Sequence, residues 1–204
     1  MKYSIVAACV AALLSGFVSA QTPNQEIRVK KAKVEVSTQM TPIIQAAGVT
    51  EKRWKPKTWL ELDTEFDVDL ARALGGDDAS YGSLAIQYFI ATSGRSKDGK
   101  VIVLSGTINY INIPAGENHA LAFVTPAALK RALKKEDGGK GDVIAHAVVI
   151  GGGGAEPLAV INTQNGKWWE DTNKFEILDN TVIPKAKTPF TVLWGDYDLQ
   201  SEAK

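Results

Sequence analysis

The feature that most constrains the fold is strict alternation along the segment WLELDTEFDVDL, residues 59–70. One face carries apolar side chains and a threonine, and the other carries Trp59 followed by five acidic residues. Because successive side chains of a β-strand point to opposite faces, this pattern predicts a long strand with one face in a core and the other towards solvent.

The acidic face of this strand has two interpretations. Clustered carboxylates are ligands that calcium prefers, but same-face residues of a strand lie ~7 Å apart, so one ion would need further ligands from a loop. No Asp-x-Asp-x-Asp-Gly loop occurs, and the short acidic stretches at 75–80 and 195–198 are weak substitutes. We therefore favour cross-strand ion pairs with the basic segment 27–38, whose cations are Arg28, Lys30, Lys31 and Lys33.

The rest of the chain extends the β prediction. Strands are predicted at 27–38 (with a bulge near Lys30–Lys31), 83–94, 101–114 (with a bend at Gly106), 118–124, 142–150, 157–163 and 190–199, while 165–189 is predicted to be irregular. One helix is predicted at 125–135, because Thr125 suits the N-cap and Pro126 the first helical position. With no internal repeat and no βαβ alternation, these elements predict a mostly β fold, an antiparallel two-sheet sandwich with one short helix.

The N-terminus has the organisation of a secretory signal peptide. Lys2 precedes an apolar run of about ten residues, and Val18 and Ala20 stand at the small-residue positions of a cleavage site. We predict a signal peptide over 1–20, a flexible tether over 21–26 and one sandwich domain over 27–200. The protein is therefore expected to be exported.

Composition excludes several classes of site and partner. Cys9 is the single cysteine and leaves with the signal peptide, so disulfides, thiolate metal sites and cysteine nucleophiles are not expected in the mature chain. A lipoprotein site at Cys9 is disfavoured because too few apolar residues precede it. The formal net charge is +0, so no global field directs the protein to nucleic acid. No later apolar run approaches the ~20 residues of a membrane-spanning helix.

The four glycines Gly151–Gly154 follow an apolar run, as the glycines of phosphate-binding loops do. A phosphate loop also requires a helix behind the glycines and usually a Lys-Ser/Thr pair. Here Glu156 and Pro157 lead into another apolar segment. We therefore predict a flexible hairpin loop between two strands.

The sequence contains no recognisable catalytic motif. Its two histidines, His119 and His146, stand in no triad spacing, and neither a nucleophile elbow nor an HExxH motif occurs. Carboxylate pairs that meet only in the folded chain stay open as a hydrolase alternative. We predict that the protein is not an enzyme and has no cofactor and no bound metal.

Trp168 and Trp169, adjacent in the segment NGKWWEDTNKF, are the candidate interaction surface. Aromatic side chains exposed on a loop stack on sugars or anchor protein interfaces. The alternative, which the sequence favours, is that both tryptophans cap one end of the sandwich core.

Three segments resemble a known family. TWLELDTEFDVDL, SGTINYINIPAGENHALAFVTPAALKRAL and TPFTVLWGDYDL, behind a secretory signal, are similar to the pilus-like protein family of mucin-dwelling gut Akkermansia and related verrucomicrobia. The resemblance covers most of the mature chain and implies an immunoglobulin-like sandwich in the cell envelope, associated with a type IV pilus-like gene cluster. It brings no active-site residues. The chain departs from true type IV pilins because it lacks a retained N-terminal helix.

The expected function is that of a non-catalytic cell-envelope or surface protein acting in protein–protein interaction, adhesion or host contact. Its expected partners are envelope or pilus-machinery proteins, the host surface, or further copies of itself through sheet edges or the Trp168–Trp169 region. The expected location is the periplasm, the outer membrane or the cell surface. The alternative function is a carbohydrate-binding module for mucin-type glycans.

Overall fold

The computed structural model describes residues 26–45, 47–48, 50, 52–151 and 156–202. The predicted signal peptide, the tether as far as Gln25 and Gly152–Gly154 of the glycine run lie outside these residues. Within them the chain forms nine strands and one α-helix. The strands are β1 (Ile27–Met40), β2 (Thr58–Leu70), β3 (Ser80–Arg95), β4 (Val101–Pro114), β5 (Gly116–Val124), β6 (Val143–Gly151), β7 (Ala159–Asn162), β8 (Phe175–Leu178) and β9 (Val182–Pro184), and the helix is α1 (Pro126–Leu133).

The strands form two sheets packed face to face. The four-stranded sheet has the order β1-β2-β5-β9, and the five-stranded sheet has the order β7-β6-β3-β4-β8. Neighbouring strands are antiparallel except β4 and β8, which are parallel. The orders β1-β2-β5 and β7-β6-β3-β4 match strands A-B-E and G-F-C-C′ of immunoglobulin-like sandwiches. The predicted β-sandwich is therefore confirmed, with one parallel pair added.

The core between the sheets follows the alternation of β2. Its inner face is buried, and so is the facing side of β3; the buried residues of the two strands are Leu60, Leu62, Thr64, Phe66, Val68, Leu84, Ile86, Tyr88 and Ile90. The hydroxyls of Tyr88 and Tyr110 lie 3.2 Å apart in this core, and Tyr110 donates to the carbonyl of Leu121 at 2.9 Å. Burial raises the pKa of Tyr88 to about 12, so its hydroxyl stays protonated as a hydrogen-bonding group.

The edge strand β1 pairs with β2 along its length and neutralises part of the acidic face. Lys31 contacts Asp67 and Lys33 contacts Glu65, each at 2.7 Å, and Lys30 pairs with Asp69. The register shifts between Lys30 and Lys33, and the φ of Lys31 is +47°, which confirms the predicted bulge. The ion-pair interpretation of the acidic face is thus confirmed for its second half.

Helix α1 begins as predicted and ends earlier. The side chain of Thr125 accepts a 3.0 Å hydrogen bond from the backbone N–H of Ala128, and Pro126 opens the helix. The helix stops at Leu133 because Lys134 takes a left-handed conformation with φ +57°. Leu129 and Ala132 attach it to the core.

Predictions for the C-terminal quarter of the chain need correction. The predicted strand at 190–199 is a series of turns, in which Trp194 has a φ of +53° and Val192 is 67% exposed. Turn hydrogen bonds replace strand pairing here, because the N–H of Leu193 donates to the carbonyl of Phe190 and the N–H of Tyr197 donates to the carbonyl of Trp194. The segment predicted to be irregular, 165–189, contains β8 and β9, which at four and three residues are too short to show a period.

Gly106 lies within β4, where it pairs in register with Tyr88 of β3. A side chain at Gly106 would collide with the carbonyl oxygen of Val182 in β9. Glycine is therefore required at this position by the close approach of another strand.

Replacing Gly106 by alanine tests this close approach. Because strand pairing fixes the backbone on both sides, we expect Gly106→Ala to lower the free energy of unfolding by about 2 kcal/mol, measured by urea denaturation. Gly82→Ala in β3, where the added carbon would meet open space, is the matched control and should change that free energy by less than about 0.5 kcal/mol. Equal effects of the two substitutions would contradict the interpretation.

Candidate functional site

Trp168 and Trp169 open a short 3-10 turn, Trp168–Glu170, on the outer face of the five-stranded sheet. Both side chains are buried, with 8% and 6% of their surface exposed. The indole N–H of Trp168 donates a 2.8 Å hydrogen bond to the side-chain oxygen of Asn162 at the end of β7. The structure thus places the pair over the outside of a sheet, rather than in an open loop or at an end of the main core.

The two indoles build a small second core on that face. Trp169 stacks on Phe89 with ring centroids 5.1 Å apart, and Trp168 packs against Phe175, also at 5.1 Å. Beneath them lie four buried small residues, Ala91, Val103, Ala145 and Ala147. Small side chains on the sheet leave the room that the indole rings fill, which explains why this face can be covered so closely.

An apolar rim surrounds the buried rings and faces solvent. Val160 pairs with Val149 across β6 and β7, and Ile177 pairs with Val103 across β4 and β8, so both share the outer face. Val160 is 47% exposed and Ile177 is 36% exposed. We name the set Phe89, Val149, Val160, Trp168, Trp169 and Ile177 the tryptophan patch. Because both indoles are buried, they contribute little of the solvent-accessible surface of this patch.

A second notable region is the C-terminal segment, residues 185–202, which lies against the outer face of the four-stranded sheet. Phe190 is buried there, stacked on Phe123 at 4.8 Å and edge-on to Trp59 at 5.6 Å. Further along, the N–H of Leu199 donates to the carbonyl of His119 in β5 at 2.8 Å. The N–H of Ile111 in β4 then donates to the carbonyl of Gln200 at 2.9 Å. The segment therefore ties the two sheets together.

Asp63, His119 and Tyr197 form a polar cluster under this segment. His119 Nδ1 lies 3.0 Å from Asp63 Oδ1, and the hydroxyl of Tyr197 donates to Asp63 Oδ2. The rings of His119 and Tyr197 are 4.3 Å apart, and His119 Nε2 is 3.5 Å from Glu117 Oε1. Asp63 thus accepts from both rings at once and holds the C-terminal segment to β2.

The electrostatics of the cluster suit a structural contact. Burial alone would lower the pKa of His119, but the hydrogen bonds to Asp63 and Glu117 and the charges of Asp63 and Glu65 outweigh it and raise that pKa above its ordinary value. Burial and the hydrogen bond to Asp63 also raise the pKa of Tyr197, so its hydroxyl stays protonated. Both rings are thereby held on the one carboxylate of Asp63.

Only part of this cluster was predictable from the sequence. Alternation along β2 predicts that Asp63 faces outward, and His119 stands out as one of two histidines. Tyr197 lies 134 residues beyond Asp63, and no local pattern predicts that contact. His146, the other histidine, is half-buried on β6, and burial lowers its pKa.

Lys185 anchors the start of the C-terminal segment through a buried ion pair. Its ammonium lies 2.5 Å from Asp198 Oδ1 and donates to the carbonyl of Trp194 at 3.1 Å. The same ammonium lies 5.8 Å from the centre of the Trp194 ring. Burial raises the pKa of the Asp198 carboxyl despite the neighbouring cation. Both ends of the segment therefore depend on one desolvated pair.

Two clefts run beside the C-terminal segment. One of about 240 Å³ is lined by Gln39, Glu61, Asp63, Leu121, Trp194 and Tyr197. Glu61 Oε1 accepts hydrogen bonds from Ser37 and Gln39, and burial raises the pKa of its carboxyl. The other, of about 390 Å³, borders Tyr110, Lys185 and Asp198. Across the described ranges, no group of three or more histidine, aspartate or glutamate side chains is arranged to hold a metal ion.

The two histidines should give opposite pH dependences of stability. Because the pKa of His119 is raised from 6.5, its contribution is complete below pH 6.5 and is lost as the pH rises through the raised value. Because the pKa of His146 is lowered from 6.5, the folded state loses stability as the pH falls below 6.5.

Urea unfolding between about pH 5 and about pH 8 measures both effects. We expect His119→Gln to remove the decline in unfolding free energy on the alkaline side and His146→Gln to remove the decline on the acid side. Each variant is the control for the other. If both variants lost the decline on the same side of the pH range, the assignments would be wrong.

Removing Lys185 tests the buried ion pair. Lys185→Met leaves the Asp198 carboxylate buried without its cation, so we expect the free energy of unfolding at neutral pH to fall by about 3 kcal/mol. The deficit should shrink as the pH falls, because the unpaired carboxyl can take up a proton. Lys187→Met, at an exposed lysine two residues away, should stay within about 0.5 kcal/mol of the parent. Comparable losses for both variants would argue against the pair as the anchor.

Among the helices of the described residues, none combines the length and apolar character needed to cross a membrane.

Comparison with known proteins identifies the family of the chain. No curated protein sequence matches it. A crystal structure of a protein from Akkermansia muciniphila shares the fold, with a TM-score of 0.74 and 22% sequence identity over 91% of this chain and 98% of that chain. The model of the pilus-like family matches residues 20–204, almost the whole length. This chain therefore belongs to the Akkermansia pilus-like protein family.

Proposed function

We propose that this protein is an exported, non-catalytic component of the cell envelope that works with a type IV pilus-like system through protein–protein contacts. The observation that carries the proposal is the family match over residues 20–204. That match begins beside the predicted cleavage site after Ala20, which supports removal of a signal peptide. On this proposal the protein lies in the periplasm, at the outer membrane or on the cell surface, and serves adhesion or host contact as part of a larger assembly.

The geometry supports contact rather than catalysis. In the cluster of Asp63, His119 and Tyr197, both rings hydrogen-bond to the same carboxylate. Its three side chains are engaged in fixing the C-terminal segment to β2. Hydrogen bonds of this kind stabilise the packing of the segment on the sheet.

We propose the tryptophan patch as the surface that contacts the partner protein. It combines the packed indoles of Trp168 and Trp169 with Val160 and Ile177, which are exposed on the same face of the sheet. Charged residues border it, since Lys167 and Glu170 form an exposed ion pair and Lys174 pairs with Asp171. An apolar centre on pre-packed aromatic rings with a charged border is the usual anatomy of a protein interface.

A photo-activatable amino acid placed at Val160 or Ile177 in the native host tests this assignment. We expect both positions to cross-link to a protein of the pilus-like system, identified by mass spectrometry. The same probe at Glu35, exposed on β1 of the other sheet, is the matched control and should not cross-link to that protein. The double substitution Val160→Ser with Ile177→Ser leaves the buried indoles in place. It should lower the cross-linking yield of a probe placed at a neighbouring position by at least about tenfold, because burial of each aliphatic side chain in the interface is worth ~1.5–3 kcal/mol.

Two outcomes would contradict the proposal. Absence of envelope neighbours at every probed position would remove the link to the pilus-like system. Specific binding on a mucin-glycan array, abolished by Trp168→Ala with Trp169→Ala while thermal unfolding still shows a folded sandwich, would replace it by the carbohydrate-binding alternative.

A further inference from the structure

We propose that the long connection between β1 and β2 docks on an anionic phospholipid surface. This connection, residues 41–57, is named the arm. Its base is closed by Thr41, whose N–H donates to the carbonyl of Lys57 at 2.9 Å and whose hydroxyl donates to the same carbonyl at 3.0 Å. The indole N–H of Trp59 also donates to the Thr41 hydroxyl at 3.0 Å. The arm is therefore held at a fixed place on the end of the four-stranded sheet.

The arm presents large apolar side chains to solvent close to this closed base. Ile43 and Ile44 are 66% and 62% exposed, and Trp54 on the returning side is 48% exposed. Met40, the last residue of β1, is 54% exposed beside them in the chain. None of these four side chains belongs to a buried cluster of the fold. A group of exposed apolar side chains of this kind marks a surface that is covered by something else.

The arm also carries a local excess of positive charge. It has four basic residues, Lys52, Arg53, Lys55 and Lys57, against one acidic residue, Glu51. Within the described residues none of the four forms an ion pair. Exposed isoleucine and tryptophan among lysine and arginine is the composition of segments that insert shallowly between anionic lipid headgroups.

Two more basic segments lie at the same end of the sandwich. The segment after α1 lies against the end of β1, where the backbone N–H of Lys140 donates to the Thr38 hydroxyl at 3.2 Å. Arg95, at the end of β3, and Lys97, in the turn that follows, border one cleft with Arg131 and Lys134, together with the acidic Asp98 and Glu176. Each cation near an anionic membrane contributes about 1 kcal/mol, so an end of this kind attracts such a surface strongly even though the whole chain is neutral.

Acidic residues neutralise part of the charge at this end, because Lys130 pairs with Glu136 and Lys135 pairs with Asp142, so the cations of the arm carry most of the attraction. Asp67 and Asp69 lie towards the far end of β2, and Asp69 is roughly 40 Å along the strand from Lys57. That distance exceeds the Debye length of ~8 Å at physiological salt several-fold, so a surface touching the arm is screened from these carboxylates. The apolar side chains of Ile43, Ile44 and Trp54 are exposed on a connection, which suits a fluid lipid interface that needs no shape complementarity. The inference goes beyond the proposed function, since it concerns a lipid contact rather than a protein partner.

Co-sedimentation with vesicles tests the docking. The chain from Gln21 onward retains every residue of both sheets and removes the apolar signal segment, which would itself bind lipid. We expect binding to vesicles of phosphatidylcholine containing phosphatidylglycerol, weakening as salt is added, and no binding to phosphatidylcholine alone. Ile43→Ser with Ile44→Ser, and separately Lys52→Gln with Arg53→Gln, should each lower the partition coefficient by at least about tenfold.

Matched controls separate the arm from the rest of the surface. Val160→Ser with Ile177→Ser removes equally apolar side chains from the tryptophan patch and should leave partitioning unchanged. Quenching of tryptophan fluorescence by brominated lipid reports depth, and Trp54 and Trp194 have nearly equal exposure, 48% and 45%. We expect Trp54→Phe to abolish most of the quenching and Trp194→Phe to preserve it.

Several results would overturn the docking. These are absence of binding to phosphatidylglycerol vesicles, equal binding to neutral vesicles, unchanged partitioning of both arm variants, and quenching that depends on Trp194. A change of oligomeric state in the arm variants without any vesicle binding would assign the arm to a second copy of this chain and would also overturn lipid docking. None of these results bears on cross-linking at Val160 and Ile177, so the proposed function would stand or fall separately.

Discussion

Burial of the apolar face of β2 against the five-stranded sheet is the interaction on which the rest of the structure depends. It fixes which face of β2 points outward, and therefore where the carboxylates go. The far carboxylates meet the lysines of β1, which selects the edge strand and its register. Asp63, nearer the start of β2, instead meets His119 and Tyr197 and receives the C-terminal segment. One alternating strand thus organises the core, one edge and the outer cover.

The long elements were predictable because each contains enough residues to show its own period. The strands β1 to β6 and the N-terminus of α1 lie close to their predicted positions, and the bulge at Lys31 is visible as a change of phase. The elements that escaped are set by partners distant in sequence. β8 exists because it lies beside β4, and residues 190–199 fail as a strand because Phe190 turns inward onto Phe123. The requirement for glycine at position 106 is of the same kind, because it comes from the close approach of Val182, which is distant in sequence.

The candidate surfaces show the same division. The residue types of the Trp168–Trp169 segment single it out in the sequence, but the cover it forms depends on Phe89, Phe175 and four small residues from three strands of the sheet. Pairing of those strands brings these residues to one face of the sheet. The two tryptophans are therefore neither exposed on a loop nor placed at an end of the main core, the two arrangements considered from the sequence. The cluster around Asp63 likewise joins β2, β5 and the C-terminal segment. Residue type can nominate a site, whereas topology decides which atoms of it reach solvent.

Net charge illustrates this limit most clearly. A formal charge of +0 excludes a strong global field, yet the fold brings the basic arm, the region of α1 and the β3–β4 turn to one end, whereas Asp67 and Asp69 lie near the other end of β2. At physiological salt a partner responds to charge within about 8 Å, so the end and not the whole molecule sets the attraction. The tryptophan patch lies on the outer face of the five-stranded sheet, whereas the arm extends from the end of the four-stranded sheet. Because the two surfaces share no residue, the proposed contact with lipid at one and the proposed contact with protein at the other do not compete for the same side chains.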